Sequence, residues 1–246
     1  MKLRLAVVQL HYRLAFNDEG WTPLEEPSGS HEKSKGFLDA WSALTFDGPR
    51  ALRERIRRAC CDQLLKRIHA VVTQCAEWGV NVVVFPEYSV PWEVLPELAK
   101  VAPRVVVVAG SHTVEAGGLK SGVYRDLAWS RVPVRGSAVC PVLHGERLIG
   151  LQPKLGPAPN LELHLEAGGD WQPISLPGSS DTLGVLICID FLHRESDSHR
   201  SLVGPRLDAC AFLAVPSFTP ARSLSEFMGE ADTESKRYKR PVLYCN

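Results

Sequence analysis

Thr182-Leu183-Gly184-Val185-Leu186-Ile187-Cys188-Ile189-Asp190-Phe191 is an apolar run rich in β-branched residues, introduced by Gly178-Ser179-Ser180-Asp181. It reads as a short strand buried on both faces. The strand delivers Cys188 to the point where it gives way to a loop, which is where α/β folds hold their chemistry. A cysteine by itself is more often a small buried hydrophobe than a nucleophile. Cys188 becomes a candidate nucleophile only in company.

Similar patterns lie on both sides of it. Downstream, 199–207 has the pattern of a helix, 209–216 of another buried strand, 224–239 of a polar helix and 241–245 of a last strand. Upstream, residues 2–10 alternate as a strand does, and from 51 to 78 apolar residues such as Leu64, Ile68, Val71, Val72 and Cys75 recur at helical steps until Gly79. A strand at 81–85, a short helix at 91–100 and a strand at 104–110 follow, then the polar Ser111-His112-Thr113. Strand, helix, strand, helix, strand implies parallel pairing through right-handed crossovers. Residues 137–143 and 147–152, around His144-Gly145-Glu146, read as an antiparallel hairpin that runs into Pro153-Lys154. From 12 to 49 the composition turns to Asn, Asp, Gly, Pro, Ser and Glu with lone aromatics, the profile of a long loop with one helical turn near 37–44. Trp21, Trp41 and Phe46 favour a segment that packs on the protein.

Length and charge narrow the classes of function. The 246 residues suit a single α/β domain, 1–246, with the 12–49 stretch as an insertion. Twenty-eight basic residues balance 28 acidic ones, so no direct binding of nucleic acid or anionic membrane is expected, and a small neutral or mildly polar substrate fits better. The apolar runs at 80–85 and 105–110 are too short to span a membrane, and the start lacks a signal-peptide core. The expectation is a soluble, cytoplasmic protein. Seven cysteines without a C-x-x-C pair are expected to be reduced, and no zinc or other metal site is expected.

Two other residues share the strand-end position of Cys188. Glu87 follows the strand at 81–85; in one parallel sheet it and Cys188 would both emerge at the carboxyl edge and face one cleft. Beside Phe85, Tyr88 and Trp92, its carboxyl would be partly desolvated and its proton affinity raised toward that of a general base. Lys154, at the end of the hairpin, could hold a thiolate or an oxyanion by its charge. Each residue alone is more often an ordinary surface group.

Together they resemble the nitrilase superfamily of carbon–nitrogen hydrolases. Val82-Val83-Val84-Phe85-Pro86-Glu87 is similar to the family's glutamate motif, and Leu151-Gln152-Pro153-Lys154-Leu155, more loosely, to its lysine motif. Gly184-Val185-Leu186-Ile187-Cys188-Ile189-Asp190 is similar to its cysteine motif, and Val215-Pro216-Ser217 to the strand end that follows. The resemblance implies a four-layer αββα sandwich and a cysteine-dependent hydrolase, amidase- or nitrilase-like, acting on a small amide or nitrile through a thioester and using no cofactor. Its roles fall on Glu87 as base, Lys154 as cation, Cys188 as nucleophile, the Ile189 N–H as oxyanion donor and Glu162 as a second, orienting glutamate. Glu166 is left to a turn, while Asp190 and Glu195 tie down backbone and arginines such as Arg194 or Arg200. Tyr88, Trp92, His112, His164 and Phe218 are pocket candidates. The resemblance also implies a homodimer, or a place in a larger polypeptide, and further strands beyond Asn246 that this sandwich would lack. The run Gly156-Pro157-Ala158-Pro159 and the 12–49 insertion depart from the family pattern. An assembly module that keeps the scaffold without the chemistry is the competing expectation, and an acyltransferase using the same thioester is a third.

Overall fold

The computed structural model describes residues 3–9, 14–17, 20–23, 50–101, 103–158, 162, 165–219 and 221–246. Strand β1 (Leu5–Val7) is followed by β2 (Leu14–Asn17), β3 (Gly20–Pro23), helix α1 (Arg50–Glu77) and β4 (Val82–Val84). A 3-10 turn (Trp92–Val94) then leads into α2 (Leu95–Val101), β5 (Val106–Val108), β6 (His112–Thr113), α3 (Ala116–Ser121), α4 (Val123–Asp126) and the hairpin β7 (Ala138–His144) and β8 (Arg147–Pro153). The chain continues through β9 (Ile174–Ser175), β10 (Thr182–Val185), α5 (Ile189–His193), α6 (Asp197–Asp208), β11 (Phe212–Pro216), α7 (Leu224–Tyr238) and β12 (Val242–Cys245).

Side-chain alternation along the strands builds the layers. In a six-stranded sheet ordered β1-β4-β5-β7-β6, with β8 on β7, the first three strands are parallel and β7 joins antiparallel. Val82, Val84, Val106, Val108 and Val142 cluster with Ile174, Leu183 and Val185 of a second sheet, ordered β12-β11-β10-β9. The alternate residues Val83, Phe85, Val107 and Val139 cluster instead with Ile68 and Val72 of α1 and Leu95 and Leu98 of α2. Phe191, Val203 and Phe227, from α5, α6 and α7, close the far side of the second sheet. The layers therefore run helix, sheet, sheet, helix, and each fully buried valine or leucine contributes about 1.5–3 kcal/mol to holding them.

Three expectations need correction. Glu87 and Cys188 do not leave one sheet: β4 pairs with β1 and β5, whereas β10 pairs with β9 and β11. They meet because the two sheets stack with these strand ends together. The polar Ser111-His112-Thr113 contains a short strand, since Ser111 and His112 are buried and β6 pairs with β7 through His112 and Val139. Within the 12–49 stretch, β2 and β3 form an antiparallel ribbon in place of loop, with Leu14 opposite Pro23. The helical turn at 37–44 lies outside the described residues, as do Trp41, Phe46 and His164.

Candidate active site

Cys188 owes its position to backbone on both sides. Beyond β10 the chain stays in register with β11, Leu186 N–H donating to Ala214 O at 3.0 Å and Cys188 N–H to Pro216 O at 2.8 Å. Gly184 is closely packed, since a Cβ there would stand 2.7 Å from the end of the Leu213 side chain. At Cys188 the backbone turns to φ 51° and ψ −114°, a conformation that a side-chain-bearing residue adopts at a cost, and α5 begins at the next residue. Asp190, in that first turn, accepts from Leu155 N–H at 2.9 Å, Gly156 N–H at 3.0 Å and His199 Nε2 at 3.2 Å. The nucleophile candidate and the chain just after Lys154 are thus fastened to one another.

Lys154 turns inward from the end of β8. Its Nζ donates to Glu87 Oε1 at 2.7 Å and to Glu162 Oε1 at 2.6 Å. Tyr88 donates to the same Glu162 oxygen, Ala158 N–H donates to Glu162 Oε2 at 2.6 Å, and the Tyr88 ring centre lies 6.0 Å from Nζ. Glu87 Oε2 accepts from Phe218 N–H at 3.1 Å, and the Glu87 charge acts on the Cys188 thiol. Lys154 and Glu87 are each 1% exposed and Cys188 is 8% exposed. The proline-rich run after Lys154 has not displaced it: the Ala158 N–H in that run anchors Glu162.

Burial dominates the proton affinities. It raises the Glu87 carboxyl above the usual range, a rise that the Lys154 charge opposes and that of Glu162 reinforces. Burial alone pulls Lys154 down, but the Glu87 and Glu162 carboxylates more than reverse this and hold the ammonium above its ordinary value. Burial and the Glu87 charge push the Cys188 thiol up to about 12, against the opposing pull of Lys154, Ser217 and the Phe218 N–H. Cys188 therefore rests as a thiol, with the Glu87 and Lys154 charges acting on it in opposite senses.

The end of β11 supplies residues that sequence reasoning missed. Ser217 Oγ donates to Cys188 Sγ at 3.4 Å, and Ser217 O accepts the Glu87 N–H at 3.2 Å. Thr219, Tyr244 and Asn246 stand behind it. A Val-Pro-Ser strand end could have marked Ser217; the others carry no local signal. Of the pocket candidates, Tyr88 and the Phe218 backbone join the cluster. Trp92 donates to Glu115 at 3.3 Å and His112 Nε2 pairs with the Tyr124 hydroxyl at 2.8 Å; neither has a described contact with Glu87, Lys154 or Cys188. Burial lowers His112 to about 4, so it stays neutral. Arg194 is held by Glu230 and Glu234 and not by Asp190, whereas Glu195 lies 3.8 Å from Arg200. Among the described residues no group of three or more His, Cys, Asp and Glu side chains could hold a metal, and no helix is long and apolar enough to cross a membrane.

The two stacked sheets between helical layers are those of the nitrilase fold. A mutant of the Nesterenkonia AN1 amidase from the nitrilase superfamily is similar over 76% of this chain and 71% of its own, at 13% identity and a TM-score of 0.53. Another mutant of that amidase, with the acetamide moiety of fluoroacetamide covalently added at the active site cysteine, is similar at 13% identity and TM-score 0.54, covering 76% of this chain and 70% of its own. Glutamine-dependent NAD+ synthetase from Acinetobacter baumannii is similar over 74% of this chain at 14% identity and TM-score 0.53, so this chain spans 34% of the synthetase's length. No family model matches the sequence, and no curated protein matches it.

Proposed function

We propose that the chain is a cysteine-dependent hydrolase of non-peptide carbon–nitrogen bonds, amidase-like, acting on a small amide or nitrile through a thioester. The observation that carries this reading is one buried cluster: an ammonium between two carboxylates, with a buried thiol on which both Glu87 and Lys154 act by their charge. With an amide, Glu87 takes the thiol proton as the sulfur bonds to the carbonyl carbon. The carbonyl oxygen becomes an oxyanion facing Lys154 and the N–H of Ile189, first residue of α5. Protonated Glu87 returns its proton to the nitrogen as the carbon–nitrogen bond breaks, and ammonia or an amine leaves. Glu87 then draws a proton from water as it attacks the thioester, and the carbon–sulfur bond breaks to give the acid and the thiol. Glu162, sharing Nζ with Glu87, orients Lys154 throughout. The adduct of fluoroacetamide in the Nesterenkonia amidase supports a small amide as substrate class.

Ammonia release from a panel of small amides tests the assignment, with Cys188→Ala as control. Wild-type release that falls to background in Cys188→Ala is expected; release that survives the substitution overturns it. The match to one part of a longer synthetase favours a second reading, in which the domain serves assembly within a larger polypeptide. That reading predicts that Cys188→Ala leaves cellular function intact.

A further inference from the structure

The Cys188 sulfur has a second set of neighbours, all hydroxyls, that the hydrolysis scheme leaves unused. Ser217 Oγ donates to Sγ at 3.4 Å, and Thr219 Oγ1 lies 3.9 Å from the same sulfur. The Tyr244 hydroxyl donates to Ser217 Oγ at 3.5 Å, and the Ser217 and Thr219 hydroxyls are hydrogen-bonded to each other. Ser217 and Thr219 are both buried. Asn246 fastens Thr219 through its backbone, accepting the Thr219 N–H and donating Nδ2 to the Thr219 carbonyl at 3.0 Å.

We propose that Ser217 is a further catalytic residue, the donor that holds the Cys188 sulfur while it carries charge, and that Tyr244 is its positioning residue. This rests on the hydrolase reading above. A serine hydroxyl has one proton to give and two lone pairs to fill. The Ser217 proton points at Sγ and Tyr244 donates to one Ser217 lone pair, which leaves Ser217 only the acceptor side of its bond with Thr219. Glu87 takes the thiol proton at the attack, so the sulfur's new electron pair needs a donor from another side, and a hydrogen bond to the charged form favours that form. When the carbon–sulfur bond breaks in the second half of the cycle the electron pair returns to the sulfur, where the same donor holds it until Glu87 returns the proton. Lys154 and the Phe218 N–H also favour the charged sulfur, and Ser217 adds the side-chain donor in direct contact with it.

The rate at which iodoacetamide alkylates Cys188, followed by mass spectrometry across a range of pH, tests the proposal without any substrate. The titratable groups acting on or answering to the sulfur are Glu87, Lys154, Tyr88 and Tyr244, and Ser217→Ala leaves all four in place. Ser217→Ala is expected to move the alkylation profile upward by about one pH unit, which is about tenfold slower labelling at a given pH below its midpoint. Tyr244→Phe is expected to shift it the same way by less, and to lower kcat with KM unchanged. Should Ser217→Ala fail to fold, Tyr244→Phe decides. Profiles identical to wild type in the variants that fold, or a wild-type Cys188 that takes no label, overturn the proposal. A wild type that labels with the expected shifts but releases no ammonia supports the sulfur–hydroxyl assignment and counts against the hydrolase reading alone.

Discussion

Lys154 carries the electrostatic balance of the cluster, since its one charge faces Glu87 and Glu162 at hydrogen-bond distance inside the protein. Lys154→Ala would leave two carboxylates facing each other without their cation, one of them fully buried, and a loss of about 3–5 kcal/mol is expected in urea unfolding. Adding Glu87→Gln removes one of those charges and is expected to recover part of the loss. The pH dependence follows from Glu87. On the proposed mechanism the free protein needs the Glu87 carboxylate as base, so kcat/KM should rise with pH through a midpoint above the ordinary carboxylate range. With the thiol pushed up to about 12 and Lys154 held charged, no second inflection is expected near 8.5, about where a free cysteine titrates. Stability moves the other way. A carboxyl whose folded pKa is raised contributes fully below its unfolded pKa, and that contribution is lost as pH rises through the folded value. Glu87→Gln should therefore flatten the fall in stability as pH rises from the ordinary carboxylate range to the raised folded value, measured by unfolding at a series of pH values.

At the scale of elements, the strand-end loops are held by close backbone approaches. Gly110, at φ +62°, follows β5, and a Cβ there would stand 2.0 Å from the Pro86 carbonyl, one residue before Glu87. Gly110→Ala must push that loop aside, so the expected result is a loss of more than about 1–2 kcal/mol, the cost of the left-handed backbone alone, together with a fall in ammonia release. Gly145, at φ +59° in the β7–β8 turn, has nothing within 4 Å of its Cβ position. Gly145→Ala should then lose only the backbone cost and leave the release unchanged; thermal unfolding and the ammonia assay separate the two variants. Helix α1 was legible in the sequence because its apolar residues recur at helical steps, and the β7–β8 hairpin because two apolar runs flank a turn. β6 was not legible, since two residues carry no period and its histidine pairs with β7 and Tyr124 only in the folded protein. The β2–β3 ribbon was hidden by composition that reads as loop.

For the whole molecule, the contact between the sheets both holds the fold and brings the cluster together. Trp171 is fully buried in the inter-sheet core, its Nε1 donating to Val185 O at 2.7 Å, next to the strand that leads to Cys188. Cys245, on the edge strand of the second sheet, donates its thiol to Val8 O at 2.9 Å and Val84 O at 3.1 Å on the first. Trp171→Ala is expected to cost about 3–5 kcal/mol and, because both sheets share that core, to keep a single unfolding transition. Coincident near- and far-ultraviolet circular dichroism melts check this, and two separated transitions would contradict it.

Most of the strands and helices and the strand-end placement of Glu87, Lys154 and Cys188 could be read from the chain itself, while the αββα layering came only with the family resemblance. Apolar period and turn chemistry are local, and they leave their mark along the sequence whatever the rest of the molecule does. That the carboxylate and the thiol arrive from different sheets, that Lys154 turns inward to lie between Glu87 and Glu162, and that Ser217, Thr219 and Tyr244 gather at the sulfur was decided only by the tertiary structure. Most of those contacts join residues far apart along the chain: 67 positions for Lys154 and Glu87, 29 for Ser217 and Cys188, 27 for Tyr244 and Ser217. Their hydrogen bonds exist only once burial has removed the water that would otherwise occupy each group.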